Sequence, residues 1–149
     1  MAADRSYIAE NDRERRRLEA LVGKLDDAAL GRAMPAGWTV AGVLVHLAFW
    51  DQRIVVLCEW LKRGAAVPVE APGDVDWIND AAKPTQLALP PRRAAALAVD
   101  TARAADQAVA ALSEDLLAKN AAAGSPINVR RAEHRREHLD EIDQALTRG

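Results

Sequence analysis

Only one cysteine, Cys58, occurs in the 149 residues, so an internal disulfide and a C-x-x-C metal site are both excluded. A reducing compartment suits that count. Aromatic residues make up 4% and β-branched runs are scarce, which argues against a sheet-built core. There is no basic excess: 20 Lys and Arg face 22 Asp and Glu, and a formal net charge of −2 disfavours a general nucleic-acid binder. Long apolar runs are lacking too. The longest, residues 40 to 50, is interrupted by His46 and followed by Asp51, Gln52 and Arg53, too short and too polar to predict a bilayer span, so no membrane partner is expected. The first 22 residues mix acids and arginines where a secretory signal would need an apolar stretch; with the single cysteine, this sets a cytoplasmic location as the expectation. Gly-rich phosphate loops, dinucleotide fingerprints and Ser-His-Asp patterns are likewise missing.

What the chain does have is alanine, at 32 positions, within a composition that is 50% apolar and 28% charged. That is the make-up of a helical globular protein, and the length suits a single domain over residues 1–149 with one substantial core. Helical spacing of Ile8, Leu18, Leu21 and Val22 predicts a first helix over residues 5–23. After a break at Gly31, Pro35 and Gly37, Thr39 is placed to cap a second helix running to about Arg63, apolar almost all round and therefore central. Pro68, Pro72, Gly73, Pro84, Pro90 and Pro91 then forbid a long helix after Gly64, leaving room for a short one over Asp74 to Ala82 capped by Asp74. Residues 92–119 read as an uninterrupted third long helix after Pro90 and Pro91, and 129–147 as a charged fourth. The expected fold class is all-α: a four-helix bundle with one long crossover between the second and third helices.

The three histidines are the most informative residues. His134 and His138, four apart on the last helix, share one face, with their Cβ atoms about 5–6 Å apart. Turning about 100° per residue places Ile142 on the same side and Asp140, Glu137 and Arg136 opposite, so both rings face the core or its margin. His46 shares its face of the second helix with Val43, Trp50 and Leu57 and also points inward. Three neutral imidazoles from two helices form a candidate site for a divalent metal ion, with a coordination position left for water or substrate.

Around them, Trp50, one turn from His46, is a candidate wall of the cavity, and Arg53, about −20° from His46 on the helical wheel, a candidate binder of a carboxylate or phosphate. These two are the expected cofactor- or substrate-contacting residues. Glu141, three beyond His138, is the candidate catalytic residue, either orienting a ligand or acting as general base near a bound water. Asp76 and Asn79 lie within reach of the site mouth but read as structural. The arginines at 13, 15, 16, 17, 130, 131, 135 and 136 alternate with acids and read as a solvated, ion-paired face. Cys58 reads as an inert core thiol.

The string from Gly37 to Asp51, GWTVAGVLVHLAFWD, followed near the C-terminus by H-x-x-x-H, resembles the DinB-like superfamily, which includes the metal-binding domain of mycothiol-dependent maleylpyruvate isomerase. The likeness covers nearly the whole chain. It implies a four-helix bundle with a three-histidine divalent metal site, nickel or zinc being the usual ions, held here by His46, His134 and His138, and frequent assembly as a homodimer. In the maleylpyruvate isomerase branch a glutamate tends to stand first in the C-terminal pair; here that residue is His134. The resulting expectation is a metal-dependent hydrolase, or a thiol-dependent transferase or isomerase, activating water or a low-molecular-weight thiol on a small-molecule substrate. The alternative is a non-enzymatic, ligand-binding or stress-related bundle in which the metal is structural or absent.

Overall fold

The computed structural model describes residues 2–148. Helix α1 spans Tyr7–Lys24 and is followed by a single turn, α2, Asp27–Leu30, capped by the Asp26 carboxylate accepting from the Ala29 N–H. Two two-residue strands, β1 (Ala33–Met34) and β2 (Trp38–Thr39), pair antiparallel across a tight turn at Pro35–Gly37. The long central helix α3 covers Val40–Lys62, and its Thr39 Oγ1 accepts from the Gly42 N–H at 3.0 Å, the cap expected from the sequence. Then come α4, Asp74–Leu87; α5, Pro91–Ala110; α6, Glu114–Ala122; and α7, Arg131–Thr147. The bundle is formed by α1, α3, α5 and α7, with α3 packed against α5 and α7, and α1 against α5 and α7.

Several sequence expectations are corrected. The stretch 92–119 is two helices, because the chain turns at Ala111–Leu112, where buried Leu112 plugs the core and Ser113 caps α6 by accepting from the Leu116 N–H. The short crossover helix runs on to Leu87 through Pro84, and its N-cap is Gly73, in a left-handed conformation, rather than Asp74. Pro84 lies on an exposed position, where water can serve the carbonyl that proline leaves unbonded. On α1 the buried stripe is Tyr7, Asn11, Glu14 and Leu18, whereas Ile8 is exposed.

Alanine richness has a packing role. The buried face of α5 is Ala94, Ala95, Ala98, Ala102, Ala105 and Val109, small residues at helical spacing that let α3 lie close against it. Two apolar clusters result. One gathers Leu18, Leu30, Val40, Leu44, Leu139 and Ile142; the other gathers Tyr7, Ile54, Leu57, Val109, Leu112 and Ile127.

Where the clusters meet, charge replaces hydrocarbon. Asp51 sits on α3 between Val45 and Ile54, and Asp106 on α5 beside Ala105; both face Arg135 of α7. Arg135 is 1% exposed and donates to both oxygens of Asp106 at 2.7 and 2.9 Å. Arg131, also buried, pairs with Asp51 at 2.9 Å, and Arg15 of α1 reaches Asp106 at 2.8 Å. The expectation that Arg131 and Arg135 belong to a solvated face is therefore wrong: they are internal, and the acids that neutralise them come from α3 and α5. Asn11 completes the junction by donating to Val129 O and accepting from the Ala132 N–H, tying the first turn of α7 to α1.

By length and composition α3 would serve as a membrane span, yet 67% of its most apolar window is buried inside the protein. It is the core helix.

Candidate metal centre

His46 lies on the second turn of α3, buried, with the Trp38 ring packed edge-on at a centroid distance of 5.8 Å. His134 and His138 lie on successive turns in the first half of α7, whose start is fixed by Asn11 and whose inner side is fixed by Arg131 and Arg135. The result is convergence. Nε2 of His134 is 3.2 Å from Nε2 of His46 and 3.1 Å from Nε2 of His138. Two ligands bonded to one ion at about 2.0–2.1 Å, with an angle between 90° and 110°, stand about 2.9–3.4 Å apart, so the spacing and the donor type both fit a divalent cation. This is the one cluster of potential ligands that meets at a point among the described residues.

Electrostatics favour the ligating form of the rings. Burial, reinforced by the charge His138 would carry, lowers the pKa of His46 from 6.5 to about 4. The same two causes, with His46 and the nearby arginines adding to them, bring His134 down to about 3. Both imidazoles are therefore neutral at physiological pH, with lone pairs free for an ion. His138 is held from behind: its Nδ1 lies 3.1 Å from Glu141 Oε2, the carboxylate–histidine arrangement that fixes a ligand's tautomer and leaves Nε2 facing the centre. Nδ1 of His46 has no protein partner among the described residues, so its ring is oriented by packing and by the Nε2 contact to His134 rather than by a carboxylate behind it.

The three rings open into a cavity of about 940 Å³ between α3, α4, α7 and the connections before α4 and α7. Trp50 and Arg53 both line it, as the sequence suggested, and form a unit: the Arg53 guanidinium lies 5.5 Å from the centroid of the Trp50 ring. Trp50 Nε1 donates to Asn79 Oδ1 of α4 at 2.8 Å, so Asn79 fixes the aromatic wall. Asp76 and Asp80, also on α4, line the cavity as well. Two further residues went unnoticed in the sequence. Glu70, in the long connection, forms an ion pair with Arg53. Lys83 of α4 donates to Ala36 O and lies over Trp38, closing the cavity's near end. Neither has a spacing signal, because each is brought in by irregular chain or by the lengthened α4. Cys58 lies outside the site, buried, with its thiol pushed up to about 11 by burial.

The sequence profile of the DinB superfamily matches residues 10–142, and this range takes in all three histidines, α3 and α5 entire, and most of α1 and α7. The chain belongs to the DinB superfamily. No curated protein and no solved structure matches it. Membership of the DinB superfamily and the clustered rings are together compatible with a metal-binding protein.

Proposed function

We propose that this DinB-superfamily protein is a metal-dependent enzyme acting on a small molecule. The observation that carries the reading is the meeting of three Nε2 atoms within 3.2 Å steps at the wall of a cavity large enough for a substrate. His46, His134 and His138 would hold the ion, zinc or nickel being the candidates. When bound, a divalent ion at three neutral nitrogens supplies a Lewis acid that stabilises the deprotonated form of water or of a low-molecular-weight thiol near neutral pH.

The chain's own residues do the rest. Glu141 keeps His138 in the tautomer that presents Nε2, a positioning role, and its half-exposed carboxylate is also within the cavity wall, where it can take up a proton from an incoming nucleophile. Trp50, pinned by Asn79, gives a flat apolar surface that excludes water beside the histidines. The buried Asp51–Arg131–Arg135–Asp106 group holds α7 in register with α3, so that ligands 88 residues apart meet without rearrangement.

Cobalt substitution tests this. Cobalt(II) bound at one equivalent, with an absorption change on adding 2-mercaptoethanol and loss of both in His134→Ala, supports an open reactive centre. Stoichiometric cobalt whose spectrum ignores water exchange and thiol indicates a structural ion, and failure to bind any divalent ion leaves the non-enzymatic bundle.

A further inference from the structure

Arg53 and Glu70 form the only ion pair across this cavity among the described residues, and it joins a rigid element to an irregular one. Arg53 belongs to α3 and is braced on the Trp50 face. Glu70 belongs to the stretch between Gly64 and Gly73, which has no regular structure between residues 65 and 71. The side chains are 19% and 28% exposed, shielded enough to attract and open enough for a solute to compete.

We propose that Arg53 is the anchor for a substrate carboxylate and that Glu70 is a built-in stand-in for it, covering the guanidinium until a ligand displaces the loop. This rests on the metal-dependent reading above and adds a substrate class to it. Arg53 is seven residues beyond His46 on one face, two helical turns or about 10 Å along the axis. A ligand spanning the two carries its carboxylate several bonds away from the group that meets the histidines. The planar guanidinium fork matches a carboxylate in two parallel hydrogen bonds, and Trp50 holds that fork in place beforehand. A doubly charged phosphate is disfavoured against a singly charged carboxylate, because the acids on the cavity lining, Glu70, Asp76, Asp80, Glu137 and Glu141, outnumber the cations Arg53, Lys83 and Arg131.

Displacement has a measurable consequence. If Glu70 covers Arg53 about nine-tenths of the time, the apparent affinity for a carboxylate is about tenfold below its intrinsic value. The test is an NMR titration of the full chain with butyrate, with butyramide as the uncharged isostere, in protein as purified and after saturation with zinc. Expected are binding of butyrate but not butyramide, about tenfold tighter butyrate binding in Glu70→Gln, and loss of binding in Arg53→Gln, in both metal states. Unchanged or weaker binding in Glu70→Gln, equal binding of butyramide, retained binding in Arg53→Gln, or tighter Arg53-dependent binding of inorganic phosphate each overturns the proposal. Should Arg53→Gln lose helicity by circular dichroism, the isosteric change at Glu70 decides alone. Arg53-dependent butyrate binding in a protein that takes up no zinc removes the metal reading and leaves the anchor. Zinc uptake with butyrate binding indifferent to Arg53 does the reverse.

Discussion

Nε2 of His46 stands 3.2 Å from Nε2 of His134, although 88 residues separate them along the chain. Two lone pairs brought this close have no reason to stay together in an apolar surrounding unless a proton or a cation lies between them. Zinc or nickel should therefore stabilise the fold. At a free ion concentration 100 times the dissociation constant the gain is about 2.7 kcal/mol, a rise of several degrees in melting temperature. Differential scanning fluorimetry with and without the ion measures it, and His134→Ala should show no rise.

Acid should weaken the metal-free protein in a defined window. In the unfolded chain His46 and His134 take up protons near pH 6.5, whereas in the fold burial holds them down to about 4 and about 3. The unfolded state binds more protons between these limits, so their contribution is complete above pH 6.5 and is lost as pH falls toward 3. Urea midpoints measured from about pH 7.5 down to about pH 4.5 should decline, with a shallower decline in the double variant His46→Gln/His134→Gln.

Breaking the internal charge group should be costly. Asp106→Ala leaves Arg135, 1% exposed, without its bidentate partner and with only Asp51 at 3.4 Å, an under-compensated buried charge costing up to about 3–5 kcal/mol. Replacing both residues, as Asp106→Leu/Arg135→Met, should recover part of that loss. Chemical denaturation of the three proteins reads the difference.

Glu141→Ala should separate metal affinity from folding. Its carboxylate touches only the far nitrogen of His138 and is half exposed, so helicity should not change. Loss of such an outer partner typically weakens binding 10- to 100-fold, and a chelator competition assay would register that shift. Glu141→Gln, which still accepts a hydrogen bond, should fall between the two.

Much of this was readable in the chain because it obeys local rules. Thr39 announces α3 by its capping hydroxyl, and helical spacing alone puts His134 beside His138 and Trp50 and Arg53 on the His46 face. Arg131 and Arg135 escaped because an arginine's burial depends on its partners. Asp51 and Asp106 lie on other helices, 80 and 29 residues away from Arg131 and Arg135 respectively. The division of residues 92–119 was missed since alanine favours helix on both sides of Leu112, and the break follows from burying that leucine and capping with Ser113. Glu70 sits in chain without periodicity, where nothing local reveals what it will meet.

The buried arginine–aspartate junction ties together α1, α3, α5 and α7, while the chain from 63 to 90 leans chiefly on α3. The histidine cluster and the ceiling above it thus rest on largely different supports. Rewriting, shortening or lengthening the ceiling alters which molecules are admitted without unsettling the histidines, so one chassis can be refitted for many guests.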